Sequence, residues 1–189
     1  MDLILASASP RRKELLGLLK IPFTVKSADI DETMDPNRPP REEVEKVSRR
    51  KALAIPRLPG QVVIGADTIV VCDGRILGKP RDQAQAEEML HLLSGRDHQV
   101  MTGCTVASDQ GICTFSEVTD LHFRPLSDRE IRNYVLTGEP MDKAGAYAIQ
   151  GGAALFCEKL QGDYFNVVGL PVCRLWETMT QLFPAWTEV

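Results

Sequence analysis

Gln61–Gly74 reads QVVIGADTIVVCDG, a run of valines and isoleucines with a carboxylate and a hydroxyl set in its middle. The β-branched residues predict a strand that ends at the turn-forming pair Asp73–Gly74. A strand this uniformly apolar belongs inside a sheet covered on both faces. Asp67 and Thr68 break the pattern. A buried carboxylate is costly unless it meets a cation, a metal or hydrogen-bond donors. The plainer alternative is a bulge or sheet edge where Asp67 reaches water.

Outward from that strand, the same grammar repeats. Residues 3–16 read LILASASPRRKELL. An apolar strand at about 2–7 leads to a helix at about 10–19, with Ser9 as N-cap and Pro10 at the first helical position. Arg11 and Arg12 lie four residues before Leu15 and Leu16, so both lean toward the core side of that helix. Cations at a helix N-terminus oppose the macrodipole, and a bound anion would reverse that penalty. Two solvated arginines on a first turn are the alternative. FTVKSADI predicts a second strand, and DPNRPPREE a loop before a helix at about 40–55. On that helix Val44, Val47, Lys51, Ala54 and Ile55 follow one stripe, so Lys51 sits where an apolar residue is expected. Snorkelling of its ammonium to water is the competing explanation.

Asp82 and Gln85 open a helix ending near Gly95. Strands at about 98–108 and 112–124 form a hairpin through SDQG. Ser127 and Glu130 make a capping box for a helix ending at Gly138. Residues 153–171, AALFCEKLQGDYFNVVGLP, read as strands, and a last helix runs from about Pro171 to Phe183. Strands and helices interleave without strict βαβ order, which predicts an α/β fold: a mixed twisted sheet with flanking helices.

The chain has 189 residues, 43% hydrophobic and 25% charged, enough for one domain with a sizeable core, in one or two lobes. A net charge of −4 argues against general nucleic-acid or acidic-membrane binding. No apolar run approaches the roughly 18 residues of a membrane span, and no signal peptide is expected from the opening residues. Five cysteines, an odd number without CxxC spacing, read as buried free thiols of a reducing cytosol. His91, His98 and His122 form no metal pair at helical spacing. Trp186, near the C-terminus, is a core or interface aromatic.

Three further segments are dense in turn-formers and charge: LGKPRD with Lys79; MDKAGAYAIQGG with Asp142, Lys143 and Gln150; and QGDYFNVVGLP with Asp163 and Asn166. Each by itself also reads as an ordinary loop. Together they bring lysines and arginines from distant segments of an acidic chain, as a polyphosphate with its Mg²⁺ requires. Walker A, kinase and GxSxG patterns are all missing.

SASPRR, GADT, GKP, DKAGAYAIQG and GDYFNVVGLP, in this order along nearly the whole chain, resemble the Maf family of nucleotide pyrophosphatases. The resemblance implies an inosine-triphosphate-pyrophosphatase-like fold, a single domain over 1–189 with two lobes around a nucleotide cleft. It implies hydrolysis of nucleoside triphosphates to the monophosphate and pyrophosphate with a divalent cation, Mg²⁺ foremost and Mn²⁺ or Co²⁺ as alternatives. Arg12, Thr68 and Gln150 match the branch acting on dTTP and UTP. The branch acting on 7-methyl-GTP resembles SPYRR, GSDQ and a glutamate instead, and this chain departs from it at all three places.

By the same resemblance, Asp67 is the catalytic acidic residue, as general base or metal ligand, and Glu32 of DIDET helps bind the metal. Ser7, Arg11, Lys51, Lys79 and Lys143 neutralise the triphosphate, and Asp142 orients Lys143 or a metal-bound water. Arg12, Thr68 and Gln150 set the choice of base. A cytoplasmic enzyme is implied, with pool housecleaning as its role, modified pyrimidine triphosphates among its substrates and a homodimer as its assembly; the acidic net charge and the absence of a long apolar run lead us to expect no nucleic-acid or membrane partner. The rival reading is a non-catalytic nucleotide sensor regulating septum formation.

Overall fold

A computed structural model describes residues 2–27 and 29–184. Its strands are β1 (Asp2–Ala6), β2 (Phe23–Lys26), β3 (Gln61–Cys72), β4 (Arg75–Leu77), β5 (Asp97–Ser108), β6 (Gly111–Phe123) and β7 (Cys157–Gln161). Its helices are α1 (Pro10–Gly17), α2 (Pro40–Leu53), α3 (Gln83–Leu93), α4 (Asp128–Leu136), α5 (Tyr164–Val168) and α6 (Val172–Leu182), with 3₁₀ turns at Glu139–Asp142, Ala144–Ala146 and Gly152–Leu155.

The strands form one sheet in the order β2-β1-β3-β5-β6-β7, with β4 beside the far end of β3. β1 runs parallel to both β2 and β3. β4 runs antiparallel to β3, and β7 antiparallel to β6. The expected mixed α/β sheet is therefore present. From Val62 to Asp67, β3 is buried without interruption, as its apolar run predicts.

The residues cluster into two compact units. The first comprises 1–67, 102–117 and 169–189; the second comprises Thr68–Met101 and Val118–Val168. β3, β5 and β6 each pass from one unit to the other along the chain. In the first unit Ile4, Ala6, Ala52, Ile55, Val63 and Ala107 pack together. In the second, Leu90, Leu93, Phe123, Ile131, Tyr134 and Phe156 belong to a larger core.

Several sequence expectations need correction. α1 stops at Gly17, two residues early, α2 stops at Leu53, and β2 ends at Lys26. Residues 153–171 are mostly not strand: only Cys157–Gln161 pairs with the sheet. Beyond it Asp163 Oδ1 accepts the Phe165 N–H at 2.7 Å, and this side-chain turn starts helix α5 despite the β-branched Val167 and Val168. Ser9 occupies the N-cap of α1, but its side chain makes no capping bond. All five cysteines are free thiols, yet only Cys72 and Cys104 are buried; Cys113 and Cys157 are half-buried, and Cys173 lies on the exposed side of α6. Trp186 lies outside the described residues.

In the second unit His98 packs edge-on against Phe123 and Tyr147, with Nε2 3.0 Å from the Tyr147 hydroxyl. Burial lowers its pKa from 6.5 to about 4, with a hydrogen bond to the Arg96 backbone first and the charge of Asp97 second opposing. The folded state thus favours neutral imidazole, whereas the unfolded chain takes a proton at the ordinary pKa. His98 therefore supports the fold fully above about pH 6.5, and that support drains away as pH falls toward 4. The loss amounts to about 3 kcal/mol. Denaturant midpoints measured from pH 7 to 4 should fall less steeply in His98→Gln; an identical slope would remove His98 as the cause.

Candidate active site

Helix α2 approaches the sheet without side chains in between at two glycines, Gly65 on β3 and Gly103 on β5. A Cβ on Gly65 would lie 2.5 Å from the Ser48 carbonyl oxygen and 2.6 Å from the Ala52 nitrogen. Only glycine allows this approach. Two residues along β3 comes Asp67, and one residue before Ala52 comes Lys51. The close crossing brings them together.

Lys51 Nζ donates to Asp67 Oδ1 at 2.6 Å and lies 2.8 Å from Glu32 Oε1. The Lys51 and Asp67 side chains keep only 13% and 11% of their exposure, whereas Glu32 keeps 50%. Lys51 is thus neither snorkelling nor solvated. One ammonium bridges a buried carboxylate and an exposed one, which offsets the cost of burying Asp67.

Glu32 stands on a loop tied to α2 on both sides of it. Arg50 Nη2 donates to the Thr33 carbonyl at 3.1 Å, and Asp31 Oδ1 accepts the Thr33 N–H at 2.9 Å. Hydrogen bonds from Thr33, its side chain first, hold the Asp31 carboxyl below its usual range. Further along, buried Glu43 accepts the Asp35 N–H at 2.9 Å, and that bond lowers the Glu43 pKa.

At the end of β1, Ser7 is buried and its Oγ accepts the Ser9 N–H at 3.2 Å. Arg12 donates from Nε to the Gly169 carbonyl at 2.8 Å and from Nη1 to Ser7 Oγ at 3.4 Å. Burial lowers the Arg12 pKa, with the charge of Asp67 as the largest opposing influence. Arg11 and Arg12 are both half-buried, as their core-side lean predicts. The Arg11 Nε is buried without a hydrogen-bond partner among the described residues, an arrangement that costs about 1–3 kcal/mol.

In the second unit Thr68 is half-buried, while Lys79 and Gln150 are exposed. Lys143 pairs with the neighbouring Asp142. The Gly145 N–H donates to the Gly78 carbonyl at 3.0 Å, so the segments carrying Lys143 and Lys79 are stitched together. Asp163 and Asn166 serve the fold. Asp163 starts α5, and Asn166 Nδ2 donates to the Val100 carbonyl at 3.0 Å and Thr119 Oγ1 at 2.9 Å. Glu32, Lys51 and Asp67 are thus joined by direct contacts, as are Ser7 and Arg12. Arg50, which holds the Glu32 loop, escaped the sequence reading because it falls off the apolar stripe beside Lys51.

Asp67 and Glu32 offer oxygen donors to a divalent cation, and among the described residues no third Asp, Glu, His or Cys joins them as a ligand cluster. Two carboxylates reach one cationic atom, both are hard oxygen donors, and such ions are held by one or two carboxylates completed by phosphate oxygens.

The mixed sheet and its flanking helices share their α/β fold with solved Ham1 proteins. The chain is 14% identical to the Ham1 protein of Staphylococcus aureus, with a TM-score of 0.51, covering 96% of this chain and 98% of that one. For a HAM1 protein from Coxiella burnetii the identity is also 14%, the TM-score 0.52 and the coverage 96% and 99%. Within that fold the chain belongs to the Maf family, whose model, described as Maf-like protein, matches residues 2–182. It is 52% identical to a dTTP/UTP pyrophosphatase of Symbiobacterium thermophilum over 98% of this chain and 97% of that one. It is also 52% identical to a dTTP/UTP pyrophosphatase of Bacillus pumilus over 92% of each. A third, from Geotalea uraniireducens, is 48% identical over 96% of this chain and 95% of that one.

Proposed function

We propose that this protein hydrolyses dTTP and UTP to the nucleoside monophosphate and pyrophosphate. The observation that carries the chemistry is the bridge of Lys51 between buried Asp67 and exposed Glu32. The substrate reading draws on relatives named dTTP/UTP pyrophosphatase that match this chain over nearly its whole length.

In this reading water attacks the α-phosphorus, the bond from that phosphorus to the α–β bridging oxygen breaks, and pyrophosphate leaves. Asp67 takes the proton of the attacking water. Lys51, donating to Asp67 Oδ1 at 2.6 Å, aims that carboxylate. A divalent cation, Mg²⁺ by preference and Mn²⁺ or Co²⁺ in its place, would be held by Asp67 and Glu32 and would supply Lewis-acid stabilisation of phosphoryl charge. Arg11 turns its unsatisfied Nε to a phosphate oxygen, beside Ser7 at the N-terminus of α1. Lys79 and Lys143 add cations that favour the charge-rich transition state, and Asp142 holds Lys143. Thr68 and Gln150 offer a hydroxyl and an amide to the pyrimidine edge. Arg12, fixed to Gly169 and Ser7, shapes the same specificity.

In this reading the chain acts as one domain over residues 1–189. It works as a cytoplasmic enzyme, a homodimer, with a nucleotide and no nucleic acid as its partner. Among the described residues no helix is long and apolar enough to cross a membrane.

Pyrophosphate release with Mg²⁺ from dTTP, UTP, CTP, GTP and 7-methyl-GTP tests the function directly. Turnover of dTTP and UTP ahead of the others is expected. Binding of dTTP without turnover of any triphosphate would leave a nucleotide sensor instead. In Glu32→Gln the Mg²⁺ concentration for half-maximal rate should rise about tenfold, because one ligand charge is lost. Mn²⁺ binding followed by electron paramagnetic resonance should weaken in proportion; unchanged Mn²⁺ affinity would remove Glu32 from the metal site.

A further inference from the structure

The segment carrying Gln150 is clamped at both ends by two side chains that the mechanism above does not use. The Ala148 N–H donates to the Tyr134 hydroxyl oxygen at 3.0 Å. That hydroxyl in turn donates to Glu139 Oε1 at 2.7 Å. The Glu139 carboxylate accepts the Gly152 N–H, 3.1 Å from Oε1 and 3.3 Å from Oε2. Between the two anchor points the Gly151 N–H closes back onto the Ala148 carbonyl at 3.0 Å, a turn across Ile149 and Gln150.

The clamp fits tightly. A Cβ on Gly151 would stand 2.3 Å from Glu139 Oε1, so the carboxylate lies directly against the loop backbone. Tyr134 is buried, and its ring packs edge-on against Phe156, which fixes where its hydroxyl points. Gln150 itself is exposed. Its backbone is thus held from below by an acceptor chain rooted in α4, while its amide is free to meet a ligand.

We infer that Tyr134 and Glu139 are positioning residues for base selectivity, acting through the Gln150 loop. This rests on the reading of Gln150 as a base-recognising residue. An amide that must meet a pyrimidine edge discriminates only if its backbone is fixed, because a loop free to shift re-pairs with other bases.

The test uses the full chain and compares kcat/KM for dTTP with that for CTP, the pyrimidine triphosphate outside the proposed pair. Tyr134→Phe keeps the ring and removes only the hydroxyl. It should lower the dTTP preference about tenfold, by loss of one oriented hydrogen-bond chain. Glu139→Gln, which keeps an acceptor oxygen, should retain more of the preference than Glu139→Ala. Gln150→Ala should lose the preference by itself, and adding Tyr134→Phe to it should cost nothing further. Amide hydrogen exchange at Ala148 and Gly152 should be faster in Tyr134→Phe.

Equal slowing of all triphosphates in Tyr134→Phe would overturn the inference, as would full additivity with Gln150→Ala or unchanged exchange at both amides. A Gln150→Ala variant with its base preference intact would instead show that the base-recognition reading itself is wrong, and the clamp's proposed role would fall with it.

Discussion

Asp67→Asn is expected to slow pyrophosphate release from dTTP about a thousandfold, the middle of the range for losing a positioned base. Asparagine has the same shape and keeps an oxygen for Lys51, so the geometry survives while the charge and basicity vanish. Lys51 retains Glu32 at 2.8 Å and is not left as an uncompensated buried cation. The fold should therefore lose only about 1.5–3 kcal/mol, the scale of a hydrogen bond to a charged group. Steady-state kinetics and thermal unfolding of the same preparation separate the two effects. A rate within tenfold of the unaltered protein would contradict the role given to Asp67.

Gly65→Ala is expected to damage both stability and activity, although it adds one methyl group. The new carbon would press on the Ser48 carbonyl oxygen at 2.5 Å and the Ala52 nitrogen at 2.6 Å. Both are backbone atoms inside α2, so no side chain can swing away, and the helix must move off the sheet. Overpacking against backbone costs about 3 kcal/mol, which is a fall of roughly 10 °C in melting temperature at this chain length. The same displacement pulls Lys51 away from Asp67, and a shift of about 1 Å at a catalytic pair costs on the order of a hundredfold in rate. Calorimetry and kinetics on one variant check both. A melting temperature within about two degrees of the parent would contradict the direct contact of α2 with β3.

Much of this arrangement was legible in the sequence because its anomalies were local. An aspartate inside a β-branched run and a lysine on an apolar helical stripe each demand a partner, and they are each other's partner. The bridge to Glu32 was legible only by resemblance, since DIDET is an exposed loop with no periodicity to place it. The clamp on Gln150 could not be read at all. Tyr134 looks like an ordinary core residue of α4, and only the fold brings its hydroxyl to Ala148, 14 residues on. The stretch 153–171 misled for a related reason. Its β-branched residues predict strand, but the Asp163 turn and the buried hydrogen bonds of Asn166 impose a helix. Side-chain-to-backbone chemistry overrode propensity there.

Hydrolysis of dTTP in oxygen-18-labelled water, with mass analysis of both products, tests the proposed reaction most directly. Attack on the α-phosphorus predicts dTMP and pyrophosphate, with the label in dTMP and none in pyrophosphate. Label in pyrophosphate, or release of orthophosphate with dTDP, would mean that a different bond is broken and that Asp67, Lys51 and Glu32 do not serve the α-phosphorus.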